Sequence, residues 1–349
     1  MRGRAVALAL LAVALGAGEA RAQWVTTDEQ AYLQAGHNWA FRRAYPGADR
    51  LFNGFDYGHA ILYETLLTRP DADPAVLEER EFLHLVGKVL RNPPALPLEE
   101  AAIEVEYARL VPEVKLLFDW AHLLHRQVYD VWADERLDGA AKDAAVDELV
   151  RYYLSRPDLA LAPRPKSLEL MEGQDYSLAF RERYPRFNGL IWAYHWLQVG
   201  LYDALLVEAE PAGRQRRVAA AVGRFWQMVA AGLDGLPHLM PMTAVVAPRF
   251  AARHPEAAAI FDNLHALHDV VSDILASDRV PPARKRAELL RMAARYRDAG
   301  ADTVPHEEWR AMGERMGEAN QGGRAVGFGA ALPVPTVRRG APHHEVLGH

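Results

Sequence analysis

The stretch FDWAHLLHRQVYD, residues 118–130, is answered much later by FDNLHALHDVVSD, residues 261–273. Phe, Asp, both His, one Leu, one Val and the closing Asp fall at the same places. Both stretches carry apolar residues at helical spacing, interrupted by the same polar residues. An Asp-x-x-His-x-x-His pattern written twice at one register points to an internal repeat, and a repeat decides the architecture.

The repeat extends outward from these stretches. AFRRAYP at 40–46 returns as AFRERYP at 179–185, an offset of 139 residues, and ten of the 28 positions from 40 to 67 are identical at that offset. Around the histidines the offset is 143, and nine of the 21 positions from 113 to 133 match. Two copies are therefore expected, about 30–156 and 169–299, joined by a Pro-rich linker at 157–168.

Strand-like alternation is nearly absent. The patterning predicts helix A over 49–68 and 188–208, and helix B over 76–91 and 213–232. It places helix C from Pro112 to Ala133 and from Pro255 to Ala276, and helix D over 139–155 and 282–298. A further short segment at 98–110, matched at 242–252, gives four to five helices per copy. Pro followed by Glu at 112–113 and 255–256 suits a first helical turn, where the missing N–H costs nothing and the dipole favours an acid. The expected fold is all-α, an internally duplicated helical bundle with pseudo-twofold symmetry. One extra helix is expected within 300–317, then a Gly- and Pro-rich tail at 318–349, disordered or draped.

The 349 residues include no Cys, which removes thiolate nucleophiles, Fe–S clusters and c-type haem attachment. The net charge of −6 is not massed in any stretch, so no nucleic-acid partner is expected. Residues 1–22 combine a basic start, a short apolar run and Ala20-Arg21-Ala22, the pattern of a cleavable signal peptide. They carry three Arg and one Glu, so cleavage takes the charge from −6 to −8. The mature chain is expected to be periplasmic or secreted, with no later membrane span. Its Trp and Tyr content allows a protein partner without locating one.

On a helix advancing about 100° per residue, His125 falls at the edge of the apolar stripe of helix C and His122 one step outward. Lys115, Asp119, Arg126 and Asp130 group on the side expected to be wet. His268, His265 and Asp262 repeat that staircase. Helix A places His59 and Asp56 inward in the first copy, and His195 and Gln198 in the second. Buried polar groups must be hydrogen-bonded or ligated, and imidazole and carboxylate suit Zn, Fe, Mn or Cu. One metal site per copy is the expectation. The first would use His59, His122 and His125 with Asp56 or Asp119, and the second His195, His265 and His268 with Asp262 or Gln198. Such a centre would serve an oxidoreductase or hydrolase by activating O2 or water. The alternative is a non-catalytic helical scaffold whose core histidines only hold hydrogen bonds.

Other features point less far. His84 is expected on the surface, and so are the carboxylates Glu64 and Asp203. His238, Met240 and Met242 in PHLMPM are read as a turn filled by methionine, and His343, His344 and His349 as a solvated tail. Phosphate-loop, Gly-x-Ser-x-Gly, His-Glu-x-x-His and EF-hand patterns are absent.

Overall fold

The computed structural model describes Thr26 and residues 28–347 apart from Leu98. The signal-peptide segment 1–22 and His349 lie outside the described residues. Among the described residues there is no strand, only one bridge between Lys166 and Thr303, and no helix is long and apolar enough to cross a membrane.

The first half contains α1 (Ala40–Ala44), α2 (Pro46–Thr68), α3 (Pro74–His84), α4 (Val105–Leu110), α5 (Pro112–Ala133) and α6 (Gly139–Leu154). The second contains α7 (Leu168–Glu172), α8 (Ala179–Arg183), α9 (Pro185–Leu206), α10 (Pro211–Ala230), α11 (Thr243–Val246), α12 (Pro248–Arg253), α13 (Pro255–Ala276) and α14 (Pro282–Arg297). Then come α15 (His306–Met316) and the short α16 (His343–Val346). The four long central helices α2, α5, α9 and α13 each open on Pro at the first turn, where its fixed φ and missing N–H are tolerated.

These four helices form the centre by crossing between halves. Helix α2 packs on α13 and on α9, while α5 packs on α9 and on α13. The contacts are reciprocal: His125 stacks on Phe261 with ring centroids 4.1 Å apart, and His268 meets Phe118 edge-on at 4.4 Å. One continuous apolar core therefore runs through both halves.

The same polar fastenings occur in each half. Trp39 and Leu178 both adopt left-handed backbone, with φ of 64° and 71°, a conformation costly for residues with a Cβ. Asp130 on α5 accepts from the N–H groups of Trp39 and Phe41. Asp273 on α13 accepts likewise from Leu178 and Phe180. Lys142 donates to the carbonyl of Trp132, and Lys285 to those of Ile274 and Leu275, each closing the end of its central helix.

Three surface expectations are corrected. Lys115, Arg126 and Asp130 are buried and Asp119 is nearly so: residues 39–41 bond Asp130 and Asp56 on α2 pairs with Arg126, while Lys115 pairs with Asp119 beside buried Glu104, and α4 packs on α5. Asp203 is buried and accepts from the N–H groups of Arg249 and Phe250 at the start of α12. Glu64, half-buried, accepts likewise from the N–H groups of Glu106 and Tyr107 on α4. Helix starts carry N–H groups without partners inside the helix, and a carboxylate from a neighbouring helix satisfies them.

The tail is draped. Trp196 donates to the carbonyl of Gly323 at 2.7 Å, Arg224 holds the carbonyls of Gly329 and Ala331, and Ala325 seats against Gly200, where a Cβ would stand 2.7 Å from that of Ala325. Gly200→Val should therefore lift the strap from α9 and lower stability by about 1–3 kcal/mol. Limited proteolysis should show faster cleavage within residues 322–335; an unchanged pattern would count against the close fit.

Burial lifts the carboxyls of Asp130 and Asp273 to about 7 despite their two backbone donors each. An unfolded Asp titrates near about 3.9. Between those values the folded chain keeps a proton that the unfolded chain has released, so each group makes stability fall as pH rises through that window. The slope is at most about 1.4 kcal/mol per pH unit per group. In urea unfolding, the stability difference between the wild type and Asp130→Asn should narrow from pH 4 to 7. A gap that is constant or widens contradicts the assignment.

Candidate metal centre

Six histidines meet where the central helices cross, and all are buried: His59, His122, His125, His195, His265 and His268. His59 comes from α2, His122 and His125 from α5, His195 from α9, and His265 and His268 from α13. By sequence His59, His125, His195 and His268 fall inward or at the edge of the apolar stripe and His122 and His265 a step outward, yet the crossing of helices between halves gathers all six into one place.

Three of them converge. His59 Nε2 lies 3.2 Å from His195 Nε2, and His268 Nδ1 lies 3.2 Å from the same His195 atom. The three candidate ligand atoms lie within 4.8 Å of one another. A metal about 2.0–2.1 Å from each imidazole nitrogen in tetrahedral geometry separates those nitrogens by about 3.3 Å. The two 3.2 Å contacts match that value.

Proton accounting favours a cation at this point. His59 Nδ1 is 2.9 Å from the carbonyl of Phe55. A carbonyl only accepts, so Nδ1 carries the proton and Nε2 presents its lone pair to His195. That bond also fixes the ring, as the outer nitrogen of a metal-bound histidine is usually fixed. Burial, then the neighbouring His122, lowers the pKa of His59 to about 4. Burial followed by the neighbouring histidines drives those of His195 and His268 well down. All three rings are thus neutral. A proton on His195 Nε2 would have to serve both neighbours at once, and a proton anywhere else leaves two lone pairs facing each other. Facing lone pairs in a buried site are costly, and a cation shared by the three converging nitrogens removes that cost.

The other expected site residues lie around this triad. The ring of His265 stacks on that of His195, centroids 3.9 Å apart and planes 6° apart, and so supports it from the side. The ring of His122 is 5.5 Å from that of His268 and 6.4 Å from that of His59, with Nδ1 3.8 Å from Asp56 Oδ1. Burial and then the charges of Arg126 and Lys115 hold its pKa down to about 3. His125 turns away: its Nδ1 lies 2.5 Å from the hydroxyl of Tyr202.

The carboxylates are engaged elsewhere. Asp56 is held by Arg126, Asp119 by Lys115 at 2.5 Å, and Asp262 by Thr243 and Trp309. Gln198 is buried on α9, its side-chain amide without a partner. At the sequence offsets of 139 and 143, His59, His195 and His268 align with Gln198, Asp56 and His125, which do not make a second histidine triad.

His84 is half-buried at the end of α3, away from this centre. His238 bonds the carbonyl of Val337 through Nδ1 at 2.8 Å, while Met240 and Met242 are buried as packing. His343, expected in a solvated tail, is instead fully buried. Its Nδ1 contacts Glu172, and its Nε2 accepts from the N–H of Met240 at 2.9 Å. No spacing rule marks that residue. Its burial follows from Glu172 and Arg181, which require a polar partner where the tail closes.

Together these features define a helical bundle with a buried all-imidazole triad at the crossing of its two halves. Comparison with known protein families, with curated proteins and with solved structures found no match.

Proposed function

We propose that this protein binds one transition-metal ion per chain, held by His59 Nε2, His195 Nε2 and His268 Nδ1. The observation that carries the reading is the convergence of two 3.2 Å nitrogen–nitrogen contacts on a single atom of His195. Three neutral nitrogens suit Zn, Fe or Cu better than Mn, which prefers oxygen. When bound, such an ion supplies Lewis acidity or, for Fe or Cu, a one-electron couple, as a hydrolase or an oxidoreductase would use. The chain's own contribution is to present fixed lone pairs: the Phe55 carbonyl orients His59, and the His265 ring supports His195 face to face.

We propose also that the chain is a duplicated unit. The paired fastenings at Asp130 and Asp273, at Lys142 and Lys285 and at Glu64 and Asp203 support this, as do the reciprocal ring contacts across the centre. On this reading the duplication built the centre, and later divergence at His59/Gln198 and Asp56/His195 left histidine on one side only. The N-terminal pattern at 1–22 supports export of the mature chain, which the mass of the secreted N-terminus would test.

The test is metal analysis of the untagged, full-length protein, followed by equilibrium dialysis against Zn, Cu and Fe. One ion per chain is expected. Ratios far below one for every metal would leave the histidines as structural core residues and the protein as a helical scaffold.

A further inference from the structure

A second site lies apart from the histidines, in a cavity of about 610 Å³ between α15 and the α12–α13 corner. That volume falls within the range of small-ligand pockets. Ala258, Val245, Ala251 and Pro165 supply apolar walls, and Asp262 and Trp309 lie at its inner end.

Asp262 is the unusual member. Its carboxylate is buried and accepts from Thr243 N–H at 2.8 Å, Thr243 Oγ1 at 2.7 Å and Trp309 Nε1 at 2.8 Å. Every one of these donors is neutral, and no cation offsets the buried charge; burial outweighs the three bonds and lifts its carboxyl to about 6. Each carboxylate oxygen has two acceptor positions, so Oδ2 keeps one open.

The first half answers the same problem differently. At the offset of 143, Asp262 corresponds to Asp119 and Ala258 to Lys115. The two central helices have matching bounds, Pro112–Ala133 and Pro255–Ala276. Lys115 Nζ lies 2.5 Å from Asp119 Oδ2, one helical turn away. In the second half that lysine is an alanine, and a cavity lies where its chain would run.

We propose that this cavity is a binding site for a primary alkylammonium group: a short aliphatic amine whose ammonium reaches Asp262 and whose methylenes lie along Ala258 and Val245. The ligand supplies to Asp262 what Lys115 supplies to Asp119. The rim carries Glu307, Glu314 and Glu318 against Arg310 and Arg324, with Arg324 paired to Glu318, so the mouth stays acidic by one charge, which favours a cation over an anion. The proposal does not depend on the histidine centre, whose residues do not line the cavity.

The test is titration of the full-length protein with n-butylammonium, followed by NMR through the indole N–H of Trp309, with n-butanol as the uncharged control. The indole signal should shift saturably with the amine, and the alcohol should bind at least about tenfold more weakly. Ala258→Lys writes the tethered ammonium into the site and should abolish amine binding. Ala258→Met fills the same space without charge and should do likewise, so the test stands if one variant does not fold. No saturable shift, equal binding of the alcohol, or amine binding kept in a folded Ala258 variant would each overturn the proposal.

Discussion

His195→Ala should remove tight metal binding altogether. Both short contacts of the triad end on His195 Nε2, so its loss leaves His59 and His268 as two ligands with nothing between them. Removing a group that only orients a metal ligand typically costs 10–100-fold in affinity. Loss of the shared ligand should cost more than about 100-fold by that measure. His125→Ala is the informative comparison. His125 is equally buried, and its ring lies 6.1 Å from that of His265, but its Nδ1 faces Tyr202, so metal content should stay near the wild-type ratio while stability drops. Metal analysis and competition with a chromogenic chelator would read both variants. Equal losses in the two would mean that the six histidines act only as a packed core.

Arg181→Ala should be the most destabilising single change outside that centre. Arg181 is 2% exposed and holds two buried carboxylates, Glu172 and, at 2.9 Å, Asp269. Breaking a buried pair by removing one partner costs about 3–5 kcal/mol, because the opposite charge remains without compensation. Here two are left. Glu172 also accepts from the N–H and Nδ1 of His343, and its carboxyl is held well below the ordinary range by His343 and Arg181 against the effect of burial. The same substitution should therefore loosen the tail. Exposed pairs set the contrast: Arg286 and Glu113 lie 2.7 Å apart with 43% and 53% of their side chains exposed, and Glu113→Ala should cost less than about 1 kcal/mol. Replacing Arg181, Glu172 and Asp269 together by Met, Gln and Asn should recover much of the loss, since buried ionic groups exchanged as a set are often neutral. Urea midpoints of the three proteins would decide. A small loss for Arg181→Ala would mean that water reaches the carboxylates.

The helices were legible where proline and periodicity agreed. Pro112 and Pro255 mark the starts of α5 and α13, and their ends at Ala133 and Ala276 fall where the apolar pattern stops. The inward placement of His59, His195 and His268 followed from the same wheel. What a single helix cannot reveal is its partner. The wheel put Asp130 and Arg126 on the side away from the stripe, but residues 28–45 fold over that side and bury both. Likewise, grouping histidines within each copy assumed that helices pack within a copy. Because α2 meets α13 and α5 meets α9, His59 faces His268 and His195, while His125, grouped with it by sequence, meets Phe261 and Tyr202. The tail lacked any periodic signal. Its order comes from single anchors, Gly323 on Trp196 and His343 on Glu172, which composition does not reveal.

X-ray absorption at the edge of the bound metal, measured on protein loaded with one equivalent, tests the central claim most directly. The account predicts a first shell at about 2.0–2.1 Å with the multiple-scattering signature of three imidazoles, falling to two or fewer in His268→Ala. A shell dominated by oxygen, or an imidazole count unchanged in that variant, would contradict it.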